Sequence, residues 1–218
     1  YENNGAANPS FTAANIATNA DFAHHLFVAD LDGDGDLDII SASQYDDTIA
    51  WYENDGSESF TRREITTSAD DARSVYAVDV DGDGDMDVLS ASADDHTIAW
   101  YENNGAQVFT AHEITTSANG AWSVYAADVD GDGDMDVLSA SSNDNTIRWY
   151  ENDGAESFTA HEITTSANGA KSVYAVDVDG DGDMDVLSAS SGDDTIRWYE
   201  NDGAESFTVH EITDQVDA

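Results

Sequence analysis

Short apolar segments alternate with clusters of Gly, Asn, Asp and Ser along the chain, and the alternation returns every 49 residues. In the last period the segments are 172–178, Asp185–Ser190, Thr195–Asn201 and Phe207–Thr213, each too short for an ordinary helix and rich in Val, Ile, Tyr, Trp and Thr. Such segments bounded by turn residues predict β-strands. Asn104-Gly105, Asp153-Gly154 and Asp202-Gly203 supply residues that tolerate positive φ between the third and fourth strands, which predicts a hairpin there. One period is then one four-stranded antiparallel sheet.

The period also brings Trp51, Trp100, Trp149 and Trp198 into register, along with Phe11, Phe60, Phe109, Phe158 and Phe207. Residues 101–149 and 150–198 differ at only seven positions, which points to recent duplication or to design. A lone four-stranded sheet cannot bury both faces, so the copies must stack; radial stacking of such sheets is a β-propeller. The expected architecture is all-β, with blades at 22–67, 71–116, 120–165 and 169–213 and a partial blade at 1–17. Tyr1 is the equivalent of Tyr52, so the leading segment corresponds to a third and fourth strand only. That hairpin is expected to form a rudimentary fifth blade, to pair with another molecule, or to mark a piece of a longer array. An unpaired strand edge there is a template for self-association or a filament.

Between the first and second strand of each period lies a nonapeptide of alternating aspartates. Its four copies are Asp30, Asp32, Asp34, Asp36 and Asp38; Asp79, Asp81, Asp83, Asp85 and Asp87; Asp128, Asp130, Asp132, Asp134 and Asp136; and Asp177, Asp179, Asp181, Asp183 and Asp185. Five carboxylates in nine residues repel one another unless a cation joins them. An all-oxygen donor set on a flexible loop suits calcium better than zinc, copper or the more hydrated magnesium. In the first loop Asp30, Asp32, Asp34 and Asp38 are expected to offer side-chain oxygens and Asp36 its carbonyl, with one ion per loop and four in all. The loop is not an EF-hand, because its twelfth position is Ser41, Ser90, Ser139 or Ser188 rather than Glu.

Charge sharpens this picture. There are 47 acidic and 6 basic side chains, for a net charge of -41. Such a surface repels phosphate backbones and anionic lipid, so nucleic-acid and membrane partners are not expected. No cysteine is present for a disulfide or thiolate site, and no apolar run reaches the ~20 residues of a membrane-spanning helix. With no signal-peptide pattern at its start, the chain reads as a processed or excised product.

The string Asp79-Val-Asp-Gly-Asp-Gly-Asp-Met-Asp87, followed by Val-Leu-Ser-Ala-Ser and by Thr97-Ile-Ala-Trp-Tyr-Glu-Asn103, resembles the FG-GAP/VCBS repeats of bacterial surface and secreted proteins. It is similar also to the calcium loops of the integrin α-subunit propeller. The resemblance implies that each aspartate loop joins the innermost strand of a blade to its second strand. It also implies a secreted or cell-surface location and a structural, adhesive or protein-interaction role. Related propellers include lectins and, less often, polysaccharide-active enzymes.

The recurring Trp residues are expected to pack between blades, and His112, His161 and His210 to be solvated edge residues. No catalytic residue is identified, since no acid and base are paired in a nonrepeating pocket, and the chain is not expected to be an enzyme. Near-identical units disagree at His24, Arg73, Trp122 and Lys171, just before the first strand, and between the second and third strands, where Tyr45 and His96 lie. Both stretches fall on the face opposite the aspartate loops. They form the expected ligand face, for a glycan or a surface protein.

Overall fold

The computed structural model describes residues 2, 3 and 11–213. Tyr1 and residues 4–10 of the expected partial blade lie outside them. Every regular element among the described residues is a β-strand, so no helix there is long and apolar enough to cross a membrane. Strands β1 (Glu2–Asn3) and β2 (Phe11–Thr12) pair with Asn3 opposite Phe11, the register that Asn54 and Phe60 adopt in the first full unit.

Four meanders follow, each ordered from inner to outer strand as the chain runs. Blade 1 is β3 (Ala23–Ala29), β4 (Asp38–Ser43), β5 (Thr48–Asn54) and β6 (Phe60–Thr66). Blade 2 is β7 (Ala72–Val78), β8 (Asp87–Ser92), β9 (Thr97–Asn103) and β10 (Phe109–Thr115). Blade 3 is β11 (Ala121–Ala127), β12 (Asp136–Ser141), β13 (Thr146–Asn152) and β14 (Phe158–Thr164). Blade 4 is β15 (Ala170–Val176), β16 (Asp185–Ser190), β17 (Thr195–Asn201) and β18 (Phe207–Thr213).

Three of the four strands expected in the last unit have their expected bounds; the first lies two residues earlier, at Ala170–Val176 rather than 172–178. Its start carries a β-bulge. Ala170 stands opposite Ser190 and Ser172 opposite Ala189, so Lys171 is an extra residue with no partner on β16. His24, Arg73 and Trp122 are the extra residues of the same bulge in blades 1, 2 and 3.

The inner strands β3, β7, β11 and β15 lie side by side in chain order, β3 against β7, β7 against β11 and β11 against β15. Each blade offers one face to the next. Ile40, Ile49 and Trp51 of blade 1 pack on Val75, Ala77, Val88 and Tyr101 of blade 2. The same positions make the next two junctions, with Leu89, Ile98 and Trp100 on Val124, Ala126, Val137 and Tyr150, then Leu138, Ile147 and Trp149 on Val173, Ala175, Val186 and Tyr199. The first three tryptophans thus belong to the core between blades, as expected: Trp51, Trp100 and Trp149 are buried, and Trp198 is half-buried.

Polar bonds repeat across the junctions too. Asn103 donates its side-chain amide to the Leu31 carbonyl at 3.1 Å, Asn152 to Val80 at 3.2 Å and Asn201 to Val129 at 3.0 Å. The backbone N–H of Ala69, Ala118 and Ala167 donates to the carbonyl of Asp47, His96 and Asn145. The N–H of Val75, Val124 and Val173 reaches His25 Nδ1, Ser74 Oγ and Ser123 Oγ. In all three series the donor sits on the later blade.

Candidate metal loops and ligand face

Each aspartate loop joins the inner strand of a blade to its second strand. Glycines at the fourth and sixth positions, Gly33 and Gly35 in blade 1, adopt φ of 73° and 94°, so the chain doubles back within a few residues. The doubling gathers carboxylates. One oxygen each of Asp30, Asp32 and Asp38 lie within 4.8 Å of one another, and Asp79, Asp81 and Asp87, Asp128, Asp130 and Asp136, and Asp177, Asp179 and Asp185 repeat the cluster.

The remaining aspartates of each string lie outside that triad. Asp34 accepts the Asp36 N–H at 2.8 Å and so ties the loop to itself. Asp36 lies against Gly56, in the turn between β5 and β6; Asp134 and Gly154 meet in the same way in blade 3. A side chain at either glycine would press on the carboxylate, and the φ of 72° and 69° at these positions favours Gly in this turn in any case.

The last aspartate of each string has a second role. Asp87 is buried; its Oδ1 accepts the Asn103 N–H at 2.7 Å and its Oδ2 the Val80 N–H at 3.0 Å. It therefore pins the loop to the end of β9. Burial raises the carboxyls of Asp87 and Asp136 to about 6, against the opposing pull of these N–H groups. Asp38, Asp81 and Asp130 are shifted upward as well, again mainly through burial. A signal for the buried aspartate was present in the sequence: in every string it alone is followed at once by an apolar run, Ile39-Ile40 or Val-Leu.

These residues fit a hard divalent cation. The donors are all oxygen, three converge, and Asp30 Oδ1 is buried with no hydrogen-bond partner. A bound cation would supply the missing charge and draw the remaining loop oxygens toward itself. A carboxyl near pH 6 in the folded chain and about 3.9 in the unfolded one takes up a proton on folding between those values. Its contribution is complete below the lower value and is lost as pH rises through the upper. In EDTA the protein is therefore expected to melt at a higher temperature at pH 5 than at pH 7, by calorimetry; saturating calcium, which competes with the proton, reverses that order.

On the opposite face, the four bulge residues converge. Lys171 Nζ lies 3.1 Å and the Arg73 guanidinium carbon 4.2 Å from the centre of the Trp122 ring, and the His24 ring meets Trp122 edge-on at 5.6 Å. His24 donates to the Arg73 carbonyl at 2.7 Å, and Arg73 pairs with Asp71 at 2.5 Å. Burial and the nearby Arg73 charge lower the Lys171 pKa. Beside this group an open hollow of about 460 Å³ is lined by Gln44, Tyr45, Asp47, Asp70, Arg73 and Asp94, and Tyr45 stacks on Phe22 at 4.7 Å. His96 stands apart. It occupies a turn at φ 60°, its Nδ1 2.8 Å from the Ala93 carbonyl, and it links blades through its own backbone carbonyl.

The histidines of the outer strands are less solvated than their position suggests. His112, His161 and His210 stack on Trp100, Trp149 and Trp198 at 4.5 to 4.6 Å and bond Glu102, Glu151 and Glu200 at 2.6 to 2.8 Å.

The same architecture occurs in solved structures of low sequence identity. A lectin from Agrocybe aegerita, described as recognising non-reducing terminal N-acetylglucosamine, aligns with a TM-score of 0.60 at 19% identity, covering 89% of this chain and 54% of that one. A functionally unknown protein from Desulfotomaculum acetoxidans aligns at 0.55 and 16%, covering 79% and 51%. The V. cholerae biofilm matrix protein Bap1 aligns at 0.51 and 21%, covering 86% and 30%. The chain thus spans about half the length of the first two and less of the third. Comparison with curated protein sequences gives no match. The FG-GAP-like repeat profile matches residues 30–90, 79–139, 128–188 and 177–217, one match beginning at each aspartate string. With the strings, the blades and the matches in one register from Asp30 onward, the chain belongs to the FG-GAP-like repeat family.

Proposed function

We propose that this chain is a calcium-stabilised extracellular propeller module, structural or adhesive in role, that presents its ligand face opposite its metal loops. The observation that carries the reading is the carboxylate triad, formed with the same three positions in every blade. Extracellular calcium modules work with dissociation constants of about 0.1 to 1 mM, which suits weak, numerous sites in a calcium-rich medium. Isothermal titration with calcium is the test, with four sites expected; no heat at millimolar calcium would remove the proposal.

A second reading, a carbohydrate-binding lectin, is favoured by the exposed Tyr45–Phe22 stack and the hollow beside Arg73. Aromatic faces with a few polar groups suit sugar rings. The structural likeness to the Agrocybe aegerita lectin is support for this reading at the level of fold alone. Trp122→Ala and Arg73→Ala are expected to weaken any ligand found on a glycan or protein array at least tenfold. Stability should change little, since cation–π contacts at such sites are worth only about 0.5–1 kcal/mol each. Unchanged binding in both variants would move the site elsewhere.

A further inference from the structure

Blades 1, 3 and 4 each hold an arginine between the same two carboxylates, and blade 2 does not. Arg148 of β13 reaches Asp144 at 3.2 Å and Glu162 at 3.9 Å, and Arg197 of β17 reaches Asp193 at 3.0 Å and Glu211 at 3.8 Å. In blade 1 the corresponding third-strand position is Ala50, and Arg62 of β6 takes over, 4.0 Å from Asp46 and 2.5 Å from Glu64. The guanidinium thus bridges the same pair from either strand. Arg197 also donates to the Ser166 carbonyl at 3.1 Å, and Tyr52, Tyr150 and Tyr199 set their hydroxyls beside the three guanidinium groups.

In blade 2 both arginine positions are alanine, Ala99 and Ala111. The acceptors remain. Asp95 is the counterpart of Asp46, Asp144 and Asp193, Glu113 that of Glu64, Glu162 and Glu211, Ser68 that of Ser166, and Tyr101 that of the other tyrosines. With the two alanines they line a hollow of about 150 Å³ between the β6–β7 connection and the outer half of blade 2, open at the edge where Ala111 and Glu113 are exposed. It shares no lining residue with the hollow beside Arg73. Asp95 accepts the N–H of Thr97 at 3.2 Å and of Asp70 at 3.4 Å, and no basic side chain answers it. The chain has only six such side chains, and all are engaged elsewhere: the five arginines pair with other carboxylates, and Lys171 lies on Trp122. Burial raises the Asp95 carboxyl and the Asp70 charge pushes the same way, so its ionised form lacks the counter-charge that its sister aspartates have.

We propose that this hollow binds a guanidinium group carried by a ligand on an alkyl chain, as in arginine. The three sister blades show what its acceptors accommodate, a planar cation bridging an aspartate and a glutamate beside a tyrosine hydroxyl. Charge-assisted bonds to both carboxylates hold such a group, and the Ser68 carbonyl stands where Ser166 accepts from Arg197. A guanidinium presents five donors in a fixed plane and an ammonium only a point charge, so an arginine-like ligand fits better than a lysine-like one. Asp95 and Glu113 join none of the carboxylate triads that could hold a metal ion, which again favours an extended cation. The site depends on neither the metal loops nor the Arg73 hollow.

The test is titration of N-acetylarginine amide into isotopically labelled protein, followed by NMR, in calcium and moderate salt so that cations held loosely by the acidic surface are screened off. Saturable shifts are expected at Ser68, Thr97 and Tyr101, with the lysine analogue about tenfold weaker or more and the uncharged citrulline analogue giving none. Ala99→Arg gives blade 2 the third-strand sequence of blades 3 and 4, so it should fold, by circular dichroism, and lose these shifts. Asp95→Asn is expected to weaken binding about tenfold or more. A peptide with one arginine that binds more tightly than the capped amino acid would identify a polypeptide ligand, and equal affinity a free small molecule. Absence of a saturable shift, or shifts of equal size in Ala99→Arg, would overturn the proposal.

Discussion

Excess EDTA is expected to lower the melting temperature of this protein by tens of degrees. An ion held at about 100 times its dissociation constant contributes about 2.7 kcal/mol, and four independent sites on the order of 10 kcal/mol. For a domain of this length one kcal/mol moves the midpoint by about 2–4 °C, which gives a fall of about 20–40 °C. The sum is as large as the whole stability of an ordinary domain. Charge pushes the same way: four divalent ions would bring the net from -41 to -33, and without them every loop holds its carboxylates uncompensated. Added monovalent salt should restore part of the loss, since exposed charges are screened over about 10 Å at 0.1 M, whereas the partly buried triads are screened less. Scanning calorimetry with and without calcium reads the effect directly. An unchanged midpoint would mean that the loops do not stabilise the fold by binding ions.

Much of this architecture is legible in the sequence because the repeat supplies its own alignment. Trp51, Trp100 and Trp149 recur at one strand position, and a side chain kept at one position of a stacked sheet has to meet the neighbouring sheet; all three are buried. The hairpin Gly154 is legible as a positive-φ turn residue, but its second constraint, the approach of Asp134, is not, since it depends on a contact between two turns. The bulge is hidden for a different reason. Lys171 and Trp122 look like residues preceding a strand, whereas they are extra residues within it, and the pairing of Ala170 with Ser190 that exposes this is nonlocal. A bulge re-aims its side chain, and here it turns four positions that differ between copies toward one point. Variation among copies located those positions, and the bulge explains their convergence. Trp198 reads the same as Trp149 in the repeat, yet it is half-buried where Trp149 is fully buried, a difference that periodicity does not carry.

Asp136→Ala is expected to destabilise the protein whether or not calcium is present, and Asp130→Ala only when it is. Both residues belong to the triad of blade 3, but they are held differently. Asp136 is fully buried and accepts the N–H of Asn152 at 2.8 Å and of Val129 at 2.9 Å, so it ties the loop to the last residue of β13. Alanine there strands two buried donors, each at a cost of about 1–3 kcal/mol, so a loss of about 2–6 kcal/mol should appear in EDTA. Asp130 accepts only the Asp132 N–H, at 3.1 Å, within an exposed stretch of the loop. Its removal should cost little in EDTA while abolishing about a quarter of the calcium-induced rise, about 2.7 kcal/mol for one site of four. Asp136→Asn should fall between the two, since its amide keeps one acceptor but turns an NH2 toward the second N–H. Denaturant melts of the three variants in EDTA and in calcium separate the roles. Equal losses for Asp136→Ala and Asp130→Ala in EDTA would show that the buried aspartate acts as a metal ligand alone and not also as the backbone tie between loop and blade.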